Sequence, residues 1–487
     1  MLLPTIYPVT CHTDHVGPGS TFVAIKGFRD DGALYVKKAL EKGATTIILE
    51  HTAATEEIRR LCLSANADLR TVQDARKALA EYSSAALHHP WRKLTIIGIT
   101  GTKGKTTTTY IVEHILRHAG YKTAVLGTIA NKIDGNIEAS SNTTPESDYL
   151  HMFFAECLKQ NVTHVVMEIS SHALSLHRVH GIDFDGIGFT NLASEHMDFY
   201  DTMDNYFMAK SQIFSQLKHH GTCVINTDDI WGKRAHLRAT EEAIKTHAQI
   251  ISMGKLAPEQ SYHELSEHHV PFMINKSSFD GLALALCLPQ TLEFACPSLF
   301  GTFNCYNLSM AALLCLHAGV VSQLIIDALA TFPGVPGRLQ RHVLANGAYA
   351  FVDYAHNPSS FHEALSTLRP HTTDLIVVFG CGGDRDRTKR PIMGQIAATL
   401  ANKVIITDDN PRFEDRRAII DEIVVGIPQQ FTHKISVEPD RRSAIALAAA
   451  QSRQGSIIAL LGKGHETYYS VCGNTLHFDD FEEIKNF

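Results

Sequence analysis

The run Gly101-Thr102-Lys103-Gly104-Lys105-Thr106-Thr107 lies between a β-branched string, LTIIGIT (94–100), and an amphipathic stretch from Lys105 to Ala119. That order predicts a glycine-bearing turn joining a strand to the N-terminus of a helix. Unpaired backbone N–H groups and the helix dipole favour an anion there. The Lys105 ammonium reaches terminal phosphates, and the Thr106 hydroxyl can ligate Mg²⁺. The spacing is not the strict phosphate-loop pattern, because five residues separate Gly98 from Gly104 and Ile99 stands at the expected glycine position. A tight turn containing Gly-Lys by chance is the alternative; a strand before and a helix after favour nucleotide binding.

Other reactive residues fall at matching places. Glu168 closes the string VTHVVMEIS (162–170), and His196, in NLASEHMDFY, follows the next string, GIGFTNL (186–192). Ligands of open α/β sheets gather at such strand ends, and a carboxylate on a buried strand needs a partner or a cation, so the pair points to Mg²⁺. Asp353-Tyr354-Ala355-His356-Asn357-Pro358 follows another strand as a polar loop able to contact a nucleotide. Arg338 precedes it and can offset charge on a transferring phosphoryl group. In Asp409-Asn410-Pro411-Arg412 the arginine fork suits a carboxylate; a surface Asx-Pro turn explains the same string. Lys210, from its residues alone, reads as a solvated helix lysine.

The elements that carry these residues alternate in the α/β manner, short apolar strings with longer helical patterns. A small first α/β domain spans residues 1–90, with strands at 21–25 and 45–49, helices around 32–42 and 74–88, and HHPWRK (88–93) as linker. A central domain, 91–337, has a parallel sheet of the phosphate-loop ATPase kind, with antiparallel strands expected over roughly 260–300 and a helix near 304–318. The Gly- and Pro-rich turn GVPGR (334–338) opens a third domain, 338–487. It is Rossmann-like without a GxGxxG string, with strands at 348–356, 374–380, 403–409 and 456–462 and helices near 359–368, 391–401, 415–425 and 440–451.

Bulk properties exclude several classes. A chain of 487 residues exceeds one ordinary core. A net charge of −7 without a Lys/Arg cluster leaves no surface for nucleic acid. The ten cysteines contain no CxxC pair, which suits reduced thiols in a cytosolic enzyme rather than a disulfide or zinc framework. MLLPTIYPVTC (1–11) has no basic start and carries Pro4 and Pro8, and no run of 18 apolar residues occurs, so neither export nor a membrane span is expected.

Taken with SNTTPE (141–146), MEISSHALSLHRV (167–179), AKSQIFS (209–215), GTFNCYN (301–307), GCGGDRDRTKRP (380–391) and GKGHE (462–466), the chain resembles the Mur ligases of peptidoglycan synthesis over nearly its whole length. The resemblance implies an ATP-dependent ligase that activates a carboxylate as an acyl phosphate and couples it to an amine. It implies ATP contacts at Gly101, Thr102, Lys103, Gly104, Lys105, Thr106, Thr107, Asn304, Asp353 and His356; Asn307, one turn on, reads as a solvated polar residue. It implies that CO₂ carbamylates Lys210, giving an anionic oxygen donor that completes a Mg²⁺ site with Thr106, Glu168 and His196. Lys105, Lys210, His196 and Arg338 become the catalytic set.

The same resemblance places UDP recognition in the first domain at Asp14, His15, Phe28, Arg29 and Asp30. Thr143, Thr144, Ser170 and Arg178 would hold the muramoyl peptide of UDP-N-acetylmuramoyl-L-alanyl-D-glutamate, Arg178 as a fixed cation. His15, Leu176 and Lys103 depart from the usual Ser, Gln and Asn or Ser. Arg385, Asp409, Asn410, Pro411, Arg412, Gly462 and Glu466 resemble a pocket for meso-2,6-diaminopimelate, whose distal carboxylate pairs with Arg412; lysine would leave that arginine unpaired. A cytoplasmic monomer without nucleic-acid or membrane partners is expected. A folylpolyglutamate synthetase and a nucleotide-binding switch protein are the alternatives. The first is not expected to carry DNPR or a UDP-binding domain, and the second would ligate nothing.

Overall fold

A computed structural model describes residues 2–28, 30–256 and 268–487. The chain forms two compact units, the first being Met1–Ser277, Leu282–Cys296 and Thr302–Phe332, the second Ser278–Gly281, Pro297–Gly301 and Pro333–Phe487.

The first unit begins with a four-stranded parallel sheet, Val9–Thr10, Thr21–Ala24, Thr46–Glu50 and Asp68–Val72 in that order. The expected helix over 32–42 is a 3-10 turn, Gly32–Tyr35, followed by Val36–Glu41. Asp74 caps the helix Ala75–Ala86 by accepting from the amides of Arg76 and Lys77. The HHPWRK segment folds into a short 3-10 helix, Pro90–Lys93, with the Trp91 indole N–H donating 3.2 Å to Ser84 Oγ.

The larger sheet of this unit has eleven strands among the described residues. Thr95–Thr100 lies in its middle, parallel to Phe184–Phe189 on one side and His164–Ile169 on the other. Five of six residues in Thr95–Thr100 and all six in His164–Ile169 are buried, as strands covered on both faces require. All strand ends that carry the candidate residues therefore open on one edge of the sheet. Antiparallel pairing at the far edge joins Gly281–Leu286 to Leu292–Cys296 as expected, whereas His269–Ser278 pairs in parallel with Gln249–Lys255. Part of the 260–300 stretch, up to residue 267, lies outside the described residues.

In the second unit a six-stranded sheet runs Gln340–Val343, Tyr349–Asp353, Ile457–Leu461, Leu375–Phe379, Lys403–Ile406, Ile435–Val437, antiparallel only at the first pair. Leu375–Phe379 and Ile457–Leu461 are buried at every position. A hairpin of Tyr468–Val471 and Asn474–His477 follows. Among the described residues no helix is long and apolar enough to cross a membrane.

Candidate functional site

The loop after Thr95–Thr100 leads into the helix Lys105–His118, whose N-cap is Gly104 at φ 84°, a left-handed conformation that a side chain would strain. A Cβ there would also collide with Asn307 Oδ1. The loop is tied from the next strand end: Lys103 N–H donates to Asn191 Oδ1 at 3.0 Å, and the Lys103 carbonyl accepts from Thr190 Oγ1 at 2.6 Å and from Asn191 Nδ2 at 3.1 Å. Lys105 Nζ donates to the carbonyls of Gly101 and Thr102 at 2.9 and 2.8 Å. Thr106 and Thr107 are buried at the first turn.

Beneath the loop, Glu168 is fully buried. Its carboxylate accepts from Thr106 Oγ1 at 2.9 Å, Thr128 N–H at 2.8 Å and Thr128 Oγ1 at 3.1 Å, all neutral donors. A hydroxyl and a carboxylate set together are hard oxygen ligands of the kind Mg²⁺ takes, usually with water and substrate phosphates completing the shell. Among the described residues no three His, Cys, Asp or Glu side chains gather as an ion site, so the donor set here is the Thr106–Glu168 oxygen pair.

Lys210 is not solvated. Only 1% of it is exposed, Nζ donates 2.9 Å to the Gly101 carbonyl and lies 4.8 Å from the Tyr206 ring centre. Burial, reinforced by Lys105 and opposed by Glu195, pushes its pKa well below the usual lysine range. The reading of Lys210 as a surface lysine fails because its helix, Met203–Ser211, packs that face inward. His196 has φ 60° and its ring stands 6.1 Å from that of Tyr206. Tyr206 thus connects His196 to Lys210, and its hydroxyl lies 3.2 Å from Thr102 Oγ1.

Asn304 and Asn307 are both buried on the helix Phe303–His317. Asn307 donates 2.8 Å to Asn304 Oδ1 and accepts 3.3 Å from Thr108 Oγ1, so it is an internal strut of the loop rather than a solvated residue. That helix is apolar on every side, which puts its polar residues inside as well.

The predicted muramoyl-side residues form one chain of contacts. Thr143 Oγ1 lies 3.0 Å from Thr128 Oγ1, and Thr144 Oγ1 donates 2.8 Å to the Glu168 carbonyl. Ser170 N–H donates 3.0 Å to Thr144 Oγ1, and Arg178 donates 2.8 Å to the Thr144 carbonyl while its other nitrogen pairs with Glu146 at 2.7 Å. In the four-stranded region Asp14 is exposed near Lys38 and Lys42 at 4.0 and 3.8 Å, and His15 stacks on Tyr7 with ring centres 4.2 Å apart. Phe28 is 77% exposed with its ring edge toward Phe199, and the Asp30 carbonyl accepts 2.8 Å from Gly27 N–H. Arg29 lies outside the described residues.

In the second unit Arg338 stands 5.2 Å over the Tyr354 ring. Asp353 accepts from Leu339 and Ala355 N–H at 2.7 and 2.9 Å; burial raises its pKa against the pull of Arg338. His356 Nδ1 is 2.8 Å from the Tyr354 carbonyl. Asp409, Asn410 and Pro411 are buried, and Arg412, at φ 53°, donates 2.7 Å to the Gly383 carbonyl. Arg385 is exposed on the neighbouring loop, and a Cβ on Gly382 would stand 2.9 Å from Arg412 Nη1 and 3.9 Å from Arg385 Cγ. Asn410 Nδ2 donates 2.8 Å to Glu466. Gly462, at φ 111°, is a second forced glycine, since a Cβ would lie 2.8 Å from Asp409 Oδ2. Lys463, Thr128, Thr190 and Asn191 were not singled out from the sequence, and only contacts distant along the chain reveal them.

A strand-to-helix loop at a helix N-terminus, with the half-buried Lys105 and the buried Lys210 on its carbonyls and an oxygen donor pair beneath it, defines an α/β protein built to bind a nucleoside polyphosphate. Family models agree: residues 5–86 match the Mur ligase family catalytic domain, 99–315 the Mur ligase middle domain, and 337–464 the Mur ligase glutamate ligase domain. The chain belongs to the Mur ligase family. It is 37% identical to a UDP-N-acetylmuramoyl-L-alanyl-D-glutamate–2,6-diaminopimelate ligase of Geobacillus thermodenitrificans, over 98% of this chain and 94% of that protein. A protein of the same name from Clostridium botulinum is 39% identical, over 96% and 92%. A solved structure of a ligase of that name superposes with a TM-score of 0.67 at 30% identity, covering 99% of this chain and 94% of the other. A folylpolyglutamate synthase of Thermotoga maritima, at 16% identity and TM-score 0.61 over 80% and 89%, shares the fold alone.

Proposed function

We propose that the protein joins meso-2,6-diaminopimelate to the D-glutamyl carboxylate of UDP-N-acetylmuramoyl-L-alanyl-D-glutamate at the expense of ATP, in cytoplasmic peptidoglycan precursor synthesis. The observation that carries the reading is the DNPR loop, where the Asn410 amide donates to the Glu466 carboxylate and the Arg412 guanidinium, two residues on, is held by the Gly383 carbonyl. Such a set complements an amino acid bearing charge of both signs at its distal end.

In the reaction a carboxylate oxygen of the acceptor attacks the γ-phosphorus of ATP, the bond to the β-bridging oxygen breaks, and ADP leaves. The diaminopimelate amine then attacks the acyl carbon of the resulting acyl phosphate, loses a proton and expels inorganic phosphate. Gly101 to Thr107 cradle the phosphates, Lys105 and Arg338 offset charge on the transferred group, and Asn304, Asp353 and His356 contact the nucleoside side. Thr106, Glu168 and His196 would hold Mg²⁺, which would supply charge neutralisation on the phosphates.

Lys210 is read as a carbamate. Its depressed pKa favours the neutral amine, the form that adds to CO₂, and the carbamate formed would supply a metal-binding anionic oxygen where an ammonium is costly to bury. Asp14, His15, Phe28, Arg29 and Asp30 bind the UDP end, and Thr143, Thr144, Ser170 and Arg178 the muramoyl peptide. A three-domain division at 1–90, 91–337 and 338–487 and a monomeric state complete the reading.

The test is phosphate release by the purified protein with ATP, the muramoyl dipeptide and one amino acid at a time. Release is expected with diaminopimelate and at least tenfold less with lysine. Turnover with lysine and none with diaminopimelate would falsify the assignment.

A further inference from the structure

Lys463 follows the strand Ile457–Leu461, in the string Gly-Lys-Gly-His-Glu, and its side chain is fully buried. Its Nζ donates 2.6 Å to the Tyr468 carbonyl and 3.2 Å to Asn410 Oδ1, and lies 3.9 Å from Asp409 Oδ1 and 3.8 Å from Glu466 Oε2. An ammonium is costly to bury, and a methionine would fill the same channel. What the ammonium alone supplies is direction.

A primary amide has two orientations that differ only by exchange of O and NH₂. At Asn410 the oxygen meets two donors, Lys463 Nζ and the Ser470 N–H at 2.9 Å, while the nitrogen meets the Glu466 carboxylate at 2.8 Å. The flipped amide would aim NH₂ at two donors and oxygen at a carboxylate. Glu466 is fixed in turn, its other oxygen accepting from the Tyr468 hydroxyl at 3.3 Å.

We propose that Lys463 is a positioning residue for the amine substrate: it locks the Asn410 amide and holds Glu466 beside it, so that the pocket presents an N–H donor and a carboxylate in fixed register to a carboxylate–ammonium pair. The inference rests on the reading of this pocket as the diaminopimelate site. Without the ammonium, Asn410 Oδ1 keeps one donor, and Asp409 and Glu466 lose a cation within 4 Å of each.

The experiment is steady-state kinetics of the full-length Lys463→Met enzyme with each substrate varied in turn. The KM for diaminopimelate is expected to rise about 10- to 100-fold, with the KM for ATP within about twofold and kcat within about threefold, since the lysine acts on one pocket only. The pH profile supplies a second readout. Glu466 faces Asp409, Lys463, Asn410 and Tyr468, with Tyr354 and Arg441 also in electrostatic reach; burial and Asp409 raise its pKa, and Lys463 with the hydrogen bonds from Tyr468 and Asn410 opposes them. Removing the lysine's share of that opposition shifts the acid limb of kcat/KM for diaminopimelate to higher pH, which a purely structural role would not do.

A KM for diaminopimelate within twofold of the parent, or a parallel loss in every kinetic constant together with Tm, overturns the proposal. If Lys463→Met does not fold, Lys463→Gln, which keeps a donor without charge, is judged by the same criteria; if neither folds, the residue serves folding and the proposal fails. A parent enzyme that shows no diaminopimelate-dependent phosphate release overturns the proposed function instead, so the two failures are separable.

Discussion

The phosphate loop at 101–107 and the DNPR loop at 409–412 both follow a parallel strand, yet they are held by opposite means. The first is gripped through its backbone: Thr190 and Asn191 hold Lys103, Asn307 backs Gly104, and the Lys105 and Lys210 side chains donate to its carbonyls, with no carboxylate in the loop itself. The second is bracketed by ion pairs of buried arginines. Arg441 donates 3.1 Å to the Asp408 carbonyl while pairing with Asp480 at 2.6 Å, and Arg390 pairs with Glu414 at 2.9 Å. A loop that receives a polyphosphate must keep its own positive potential uncompensated, so its scaffold is best made of amides and hydroxyls. A pocket for a zwitterion needs charges of both signs fixed in place, and buried pairs supply rigid register at a desolvation cost. Damage to the two loops should therefore show up in different measurements.

The largest effect is expected from breaking the bracket of the second loop. Arg441 and Asp480 are at 2% and 0% exposure, so Arg441→Met leaves a buried carboxylate without its cation. A loss of about 3–5 kcal/mol in unfolding free energy is expected, read from urea midpoints followed by a probe in the second unit. Arg441→Met with Asp480→Leu should recover most of it; no recovery would mean that the pair's attraction is not what holds the loop.

Lys105→Ala tests the other side. The ammonium donates to two loop carbonyls that water can reach in its place, so the fold loses little, whereas in the proposed reaction the transferred phosphoryl group loses a cation. A fall in kcat of about 10²–10³ is expected, with the urea midpoint almost unchanged. A large shift in stability with modest change in turnover would reverse the contrast between the two loops.

Neutral packing in the first unit also predicts a pH dependence. His151 is fully buried, neither ring nitrogen has a hydrogen-bond partner among the described residues, and burial lowers its pKa to about 3. The folded protein therefore keeps the ring neutral while the unfolded chain protonates near pH 6.5. This contribution is present above pH 6.5 and is lost as pH falls from there toward 3. At pH 5 the loss is about 2 kcal/mol. Urea midpoints of the parent and His151→Leu at pH 7 and 5 isolate it as a double difference; equal pH sensitivity in both would exclude His151 as the source.

How much of this was legible in the sequence depended on distance along the chain. The phosphate loop could be read because glycine, lysine and hydroxyls fall within seven consecutive residues between a strand and a helix pattern. The buried strands of the second unit could be read because they are uninterrupted apolar strings, such as those of Leu375–Phe379 and Ile457–Leu461. Asn307 was misread because its helix is apolar all round and gives no periodicity to tell inside from outside. Lys463 meets Asn410 across 53 residues, so although Gly462 and Glu466 on either side of it belong to the expected pocket, nothing local gives the lysine a contact there. The short strands Ala130–Ile133 and Asn136–Ala139 escaped because four residues, half of them polar, carry too little alternation to register.

Asn191 gives the smallest effect and the sharpest one for the comparison. Its side chain spans the Lys103 amide, accepting 3.0 Å from the N–H and donating 3.1 Å to the carbonyl. Asn191→Ala removes two neutral hydrogen bonds at a half-buried position, where water can reach the groups left behind, so a stability loss of about 1 kcal/mol is expected. The loop's amides lose their fixed direction, however, and a position error of this kind is felt most where the phosphates bind. The KM for ATP should rise about three- to tenfold while the KM for diaminopimelate stays put. That pattern is the mirror of Lys463→Met, and the same three-substrate kinetics on both variants distinguishes them. A rise in both constants after Asn191→Ala would mean that the two loops share a scaffold, and that the neutral and the charged clamps are not independent devices.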